Sequence, residues 1–343
     1  MIVRRHSTGY NFLGDTGTGL TLRWADGVGE NPVYAPWPEL ADISISNHCS
    51  KGCDFCYRDS KEDNSFMTIG QYEKVLAGLQ HERWGTVFQV ALGGGEPLEH
   101  PDFKKIIQAT CDRGIVANFT TNGERLNEDI VGFLRGKIGA LAISAARIDQ
   151  IDTGILRLLA GNEIRTNLHF ILDNRSIAQG IDMLRGKYND ILKHVNSVIF
   201  LTYKPKGRAQ ADKCLELDSN LRMFLNLVNK NKCSCSVGFD ACFVPLLMKH
   251  TEVNVDCIDS CECGFFSVYI DENMNVKPCS FASDDSYSFN LNDCDFKVIW
   301  GKKYDKYRKE VLKNRCNSSD CANKSQCRGK CVYFEDLQFC YVN

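Results

Sequence analysis

Eighteen cysteines, unevenly spread, constrain this 343-residue chain more than any other feature. Three fall within residues 49–56, one stands alone at Cys111, and the other fourteen follow residue 213. Secreted disulfide scaffolds reach such densities, but they are small and are made for export. Here the two arginines near the start are followed by no apolar run, so no signal peptide is expected and a cytoplasmic setting is. In a reducing compartment many thiols usually mean metal, because thiolates bind iron and zinc well. The chain must therefore fold around two metal-rich regions, joined by a long stretch held by its own apolar pattern.

That stretch has the means to form a core. Hydrophobic residues make up 43% of the chain and charged ones 24%, ordinary values for a globular protein. A formal net charge of −2 gives no field for drawing in nucleic acid or an anionic membrane, and neither is expected as a partner. The longest apolar runs, such as residues 198–201 and 243–248, are far too short to span a bilayer.

From residue 43 the pattern alternates. Strands are expected at 43–46, 86–92, 115–120, 138–144, 164–172 and 195–203. Helices are expected between them at 68–80, with Thr68 as N-cap, and at 102–111, 127–134, 153–159 and 177–185. Strict alternation implies right-handed βαβ units and a parallel sheet. The fold class expected is α/β, a partial (β/α)6 barrel of TIM type with its chemistry at the C-terminal strand ends. Residues 1–42 read as an N-terminal hairpin or extension around the turn Gly14-Asp15-Thr16-Gly17-Thr18-Gly19. The barrel would occupy residues 43–230. Residues 231–343 hold thirteen cysteines and few long periodic segments, as expected of a domain stapled by metal.

The segment Cys49-Ser50-Lys51-Gly52-Cys53-Asp54-Phe55-Cys56-Tyr57 directly follows the first expected strand of that sheet. Three thiolates on one short loop can wrap three corners of a cubic iron–sulfur cluster and leave the fourth iron open. Spacing alone also allows a zinc site with His48 as fourth ligand. The pattern Cys-x3-Cys-x2-Cys, with Phe55 before the last cysteine, resembles the signature of the radical S-adenosylmethionine (SAM) superfamily. Further resemblances follow in order. Gly93-Gly94-Gly95-Glu96-Pro97 is similar to the family's GGEP element, where glycines let backbone approach SAM and a carboxylate can pair with its ammonium. Thr120-Thr121-Asn122-Gly123 resembles the TNG turn. Ser144 stands where the family often places a hydroxyl, and Pro205-Lys206-Gly207-Arg208-Ala209 resembles the PxGRA segment near the adenine. The resemblance implies a 4Fe-4S cluster on Cys49, Cys53 and Cys56. It also implies SAM contacts from Phe55, Tyr57, Gly94, Gly95, Glu96, Thr121, Asn122, Ser144, Gly207 and Arg208. Ala145-Ala146-Arg147 departs from the family, where an Asp-Gly turn is common.

The C-terminal cysteines read Cys257-x5-Cys263-x15-Cys279, a gap, then Cys316-x4-Cys321-x5-Cys327-x3-Cys331-x8-Cys340. This resembles the SPASM extension of peptide-modifying radical SAM enzymes, and implies two auxiliary 4Fe-4S clusters. One would be held by Cys257, Cys263, Cys279 and Cys331, the other by Cys316, Cys321, Cys327 and Cys340. The gap after Cys316 is longer than usual, Cys261 competes beside Cys263, and structural zinc is the plainer reading of such spacing. Cys235 and Cys242 flank an expected strand at 237–240 and are candidate hydrogen-atom donors, with Asp240 a candidate proton acceptor. Packed strand thiols and a turn-forming aspartate are the simpler alternatives.

The resemblance implies that an external one-electron reductant feeds the first cluster, that SAM splits to a 5′-deoxyadenosyl radical, and that this radical takes hydrogen from a substrate. SPASM relatives act mostly on peptides and proteins. Ser280 stands where sulfatase maturases keep an aspartate, so the first expectation is maturation of a ribosomally made peptide by cross-link, epimerisation or backbone change. Forty-two residues before the barrel are too few for a leader-binding domain, so either a separate leader-binding protein would deliver the peptide or the barrel and C-terminal domain would recognise it alone. Sulfatase-type or small-molecule oxidation is the second expectation. A non-catalytic iron–sulfur scaffold is the third, though it would need neither an open iron nor Glu96.

Overall fold

The computed structural model describes residues 1–27, 30–254, 258–283, 285–313, 327–328 and 331–334. Three strands open the chain: β1 (Ile2–Ser7), β2 (Tyr10–Asp15) and β3 (Thr21–Trp24). They pair antiparallel as a meander, so the expected turn over residues 14–19 joins β2 to β3 and a second tight turn precedes it.

The alternating runs that follow become β4 (Leu40–Ser46), β5 (Gln89–Gly94), β6 (Val116–Thr121), β7 (Ile138–Ala145), β8 (Thr166–Leu172) and β9 (Ser197–Thr202). They lie side by side in chain order, every pair parallel. Between them run α1 (Ile69–Gly78), α2 (Phe103–Asp112), α3 (Glu128–Leu134), α4 (Thr153–Gly161) and α5 (Ile177–Leu184). Their starts are written locally. Thr68 and Gln71 form a reciprocal capping box on α1, and Asn127 and Asp152 cap α3 and α4 through their side chains. The fold is α/β on a parallel sheet, as expected.

Along each strand the apolar positions face the helices, where Val90, Leu92, Phe119, Leu168, Phe170 and Phe200 are buried in one continuous core. The opposite face is mixed, with Asn118, Thr120, Ser144 and His169 beside Ile171, Ile199 and Leu201. There Ser144 on β7 pairs in register with His169 on β8. The N-terminal meander closes the starting ends of the strands, with Phe12 edge-on to Phe88 at 5.5 Å and Val116 beside them. The C-terminal strand ends are left for chemistry.

Beyond residue 230 the chain returns to the same sheet. After α6 (Ser219–Val228), β10 (Ser236–Phe239) adds parallel to β9, and α7 (Val244–His250) follows it. β11 (Ser267–Ile270) then adds parallel to β4 at the other edge, with β12 (Asn275–Lys277) and β13 (Phe289–Asn290) antiparallel outside it. The chain continues to α8 (Tyr304–Lys313). Val268, Ile270, Val276, Phe296, Trp300 and Tyr304 join the main core. Burying each such side chain contributes about 1.5–3 kcal/mol, so metal is not the sole support this region was expected to need. Its apolar residues are spread too thinly along the chain to form a periodic signal.

Candidate functional site

The site is assembled where β4, β5 and β6 end. A bulge shifts the register of β4 against β5 between Ser44 and Ser46, and the glycines opposite fill the space this leaves. Gly94 has φ +109°, and a Cβ there would stand 2.0 Å from the Ser46 carbonyl oxygen. A Cβ on Gly95 would stand 1.9 Å from the His48 carbonyl oxygen. Backbone bonds use this closeness: Gly95 N–H donates to Ser46 O at 2.7 Å, and Glu96 N–H to His48 O at 2.8 Å. The glycine loop is thereby fixed against the chain that enters the cysteine loop.

The cysteine loop is pinned on every side. Cys49 N–H donates to Lys61 O at 3.1 Å, and Cys56 N–H to Cys53 O at 3.3 Å. The Ser60 amide lies 3.5 Å from Cys56 Sγ, placed to donate to a thiolate. Glu99 accepts from the Ser50 amide at 3.0 Å and from Arg125 at 3.3 Å. His48 Nε2 lies 3.2 Å from Glu99 Oε2, so the fourth ligand considered for zinc is engaged elsewhere. Burial pushes the Cys49 and Cys53 thiols up, an unfavourable state for thiolates until a cation arrives to share their charge.

Glu96 is 2% exposed. Its Oε1 accepts from Thr121 Oγ1 at 2.7 Å and from the Leu98 amide at 3.0 Å, and its Oε2 accepts from the Asn122 amide at 2.7 Å. Burial still holds its pKa above the ordinary carboxylate range, and no cation pairs with it among the described residues. Beside it, Asn122 Nδ2 is buried with no hydrogen-bond partner. Both groups face an absent ligand that brings positive charge and an acceptor, and the ammonium and carboxylate of an amino acid supply these. A cavity of about 590 Å³ is lined by Asn122 and Cys53, with Phe55, Ser144 and Arg147 among others, while Glu96 stands behind Asn122 and does not line it. One thiol of the cysteine loop and the orphaned Asn122 amide at this cavity, with the buried Glu96 carboxylate next to that amide, fit a SAM-binding cluster.

The comparisons agree with this geometry. The model of the radical SAM superfamily matches residues 43–171. The chain carries a radical SAM domain. Mycofactocin maturase MftC of Mycobacterium tuberculosis is 21% identical over 326 residues, covering 88% of this chain and 78% of that protein. The fold matches that of SuiB of Streptococcus suis bound to precursor peptide SuiA with a TM-score of 0.75 at 14% identity, over 98% of this chain and 96% of that one. It also matches native anSMEcpe with bound AdoMet and Cp18Cys peptide, with a TM-score of 0.63 at 17% identity, over 88% and 91%.

In this radical SAM domain Tyr57, Gly207 and Arg208, expected at SAM, do not line the cavity of about 590 Å³, and nor do Gly94, Gly95, Glu96 and Thr121. Arg208 grips the cysteine loop: Nε donates to Cys53 O at 2.8 Å and Nη1 to Ser60 O at 2.8 Å. Gly207 has φ +66°, and a Cβ there would lie 2.5 Å from Cys56 O. The pair belongs to the cluster loop's support, because the loop's carbonyls lie nearer than the cavity. Tyr57 turns away from the cavity, stacks on Phe281 at 4.5 Å and hydrogen-bonds Ser280, and burial pushes its hydroxyl pKa up.

A second cavity, of about 220 Å³, lies at the end of β10. Cys242, Cys261, Cys263, Cys279, Cys327 and Cys331 all line it. Within it Cys263 neighbours Cys261 and Cys279, and Cys242 neighbours Cys331. Cys327 and Cys331, expected in different cluster sets, therefore share one chamber. Cys257, Cys316, Cys321 and Cys340 lie outside the described residues. No three donors among the described residues are placed to hold a single metal ion. A cubane spreads its thiolates over four corners, so the chemistry of this donor set fits an iron–sulfur cluster.

Cys235, expected as a hydrogen-atom donor, immediately precedes β10 at its opposite end, packs against the core and lines neither cavity. Asp240, expected as a base, accepts from Thr202 Oγ1 at 2.7 Å and pairs with Lys204 at 2.8 Å. Lys204 itself escaped the sequence reading. It is 7% exposed and lines the second cavity, and its one signal was a cation directly after an apolar strand.

Proposed function

We propose that this protein is a radical SAM peptide maturase, in which SAM bound over Cys49, Cys53 and Cys56 starts hydrogen abstraction from a ribosomally made peptide. The observation that carries the SAM half is the buried Glu96 carboxylate, unmatched by any cation among the described residues, beside the orphaned Asn122 Nδ2. Cys49, Cys53 and Cys56 would hold the cluster, which would supply the electron for reductive cleavage of bound SAM. The chain's own part is positional. Glu96 holds the ammonium, Asn122 the carboxylate, and Ser144 and Phe55 wall the cavity that keeps water from the reacting carbon.

The peptide half rests on the extent of the likeness. MftC, a maturase, matches over 88% of this chain, and SuiB, solved with its precursor peptide, over 98%. The strand face bearing Ser144 and His169, mixed in polarity, suits an extended substrate. Cys263, Cys279 and Cys331, with a fourth thiolate, would hold an auxiliary cluster beyond it. Cys327, with Cys316, Cys321 and Cys340, would serve a second. A partner delivering the peptide belongs to this reading.

The test is direct. Anaerobically reconstituted protein with reductant should form 5′-deoxyadenosine, and a variant with Cys49, Cys53 and Cys56 all replaced by Ala should form none. A short peptide encoded beside this gene should change mass on incubation, or gain one deuterium from heavy water if a centre is inverted. Deoxyadenosine from the triple variant would overturn the SAM assignment. Turnover on a sulfatase-derived Cys or Ser peptide alone would overturn the substrate.

A further inference from the structure

We propose that Phe281 couples the two cysteine sites: stacked on Tyr57, it carries the position of the SAM-cluster loop to Cys279, and so steadies and tunes an auxiliary cluster held there. The inference rests on the reading above that such a cluster exists. It adds how the two sites sense each other.

Three observations carry it. First, the rings of Tyr57 and Phe281 are stacked, with centroids 4.5 Å apart and planes at 30°. Tyr57 directly follows Cys56 and Phe281 is two residues past Cys279, so one ring contact joins the loop of one site to the loop of the other. Second, Phe281 is tied to its own cysteine. Its amide lies 3.4 Å from Cys279 Sγ, placed to donate to a thiolate, and the Ala282 amide donates to Cys279 O at 3.0 Å. Hydrogen bonds to the sulfurs are among the groups that set a cluster's reduction potential. Third, one short segment clasps both loops. The Lys206 ammonium donates to Ser280 O and to Ala282 O, each at 3.2 Å, on either side of Phe281. Two residues on, the Arg208 amide donates to Cys56 O at 3.0 Å.

Phe281 also meets Phe334 edge-on at 5.8 Å, three residues past Cys331, so a further cysteine segment leans on the same ring. Stacked rings prefer a narrow range of offsets, and a displacement of one is felt by the other. A leucine fills similar space without that preference. A filled first site restrains Tyr57 through Cys56, and Tyr57 restrains Phe281 and the amide that faces Cys279. Such coupling is reciprocal, so a filled auxiliary site steadies the first in the same measure.

The experiment uses the full-length chain, anaerobically reconstituted. The first site is emptied by replacing Cys49, Cys53 and Cys56 with Ala, and chelator-driven iron loss is timed from the clusters that do not respond to SAM. Emptying the site should speed that loss several-fold. Phe281→Leu should speed it likewise with the first site full, and emptying the site should then add nothing further. Redox titration followed by electron paramagnetic resonance gives a readout that a merely structural role would leave alone. Phe281→Leu should lower the midpoint potential of one cluster that ignores SAM, because a loosened N–H···S hydrogen bond stabilises the reduced form less. Tyr57→Phe, which keeps the ring, should match the parent in both measurements. Should Phe281→Leu be insoluble, Tyr57→Leu breaks the same stack from the other side and should give the same pair of changes. An undiminished effect of emptying the first site in the leucine variants, no effect in the parent, or an unchanged potential overturns the inference and leaves the maturase reading intact. An unsubstituted protein with no iron beyond the SAM-responsive cluster overturns the auxiliary-cluster reading, and the inference with it.

Discussion

Glu96 Oε2 accepts the Asn122 backbone amide at 2.7 Å, so a single carboxylate ties the end of β5 to the end of β6. In the function proposed above the same carboxylate pairs with the SAM ammonium, which makes its charge and its shape separable.

Glu96→Gln keeps the shape and removes the charge. A charge-assisted hydrogen bond is worth roughly 1.5–3 kcal/mol, so SAM should bind about ten- to a hundredfold more weakly while iron content stays constant. Equilibrium binding to the oxidised protein measures this. Unchanged affinity would mean that Glu96 serves only the strand ends.

Arg208 makes a different forecast. Because its guanidinium holds Cys53 O and Ser60 O, Arg208→Ala should speed chelator-driven loss of iron from the first cluster several-fold. Arg208→Lys, with a single donor head in place of a planar fork, should fall between. Equal rates in all three proteins would remove Arg208 from the loop's support.

Two glycines of one loop should behave oppositely. Gly95→Ala drives a Cβ into the His48 carbonyl and should cost about 3 kcal/mol, seen as a lowered thermal midpoint. Gly93 has nothing within 4 Å of a built Cβ, so Gly93→Ala should be neutral or stabilise by up to about 1 kcal/mol. The reverse order would show that the two loops are not in contact as described.

His169 gives the pH dependence. Burial lowers its pKa from 6.5 to about 4, with Asp240 the only opposing charge. The unfolded chain therefore takes up a proton near pH 6.5 that the folded chain refuses until about pH 4. Stability is full above pH 6.5 and falls as the pH drops through that window, by up to about 3 kcal/mol. His169→Gln should flatten urea-denaturation midpoints between pH 6.5 and 4. An unchanged slope would place the imidazole in contact with water.

What the sequence disclosed follows from what is local in it. Thr68, Asn127 and Asp152 announce their helices because a cap is a contact of two or three residues. Glu96, Thr121 and Asn122 were legible because each stands in a contiguous motif at the end of its own strand. Arg208 was placed by the adenine because its motif is contiguous too, yet its partners are the carbonyls of a loop some 150 residues earlier, which no motif names. Cys242 was visible only as a thiol flanking a strand and a candidate hydrogen-atom donor. Its neighbour Cys331 belongs to a distant segment, and thiol–thiol proximity leaves no periodic trace. β11 was missed because four residues are too few to establish a period of two.

The strand that delivers Cys49 is flanked by β5 on one side and by β11 on the other. Ser44 on that strand hydrogen-bonds Glu272, 228 positions later in the chain. During synthesis the ribosome therefore releases the cysteine loop long before its strand has a second neighbour. For most of translation β4 is a bare edge, open to pairing with another nascent chain. Iron delivered in that interval would enter a loop mounted on half a support. Durable loading has to wait for the last quarter of the polypeptide, and a message cut short before β11 yields a chain that can collect thiol-bound iron but not keep it.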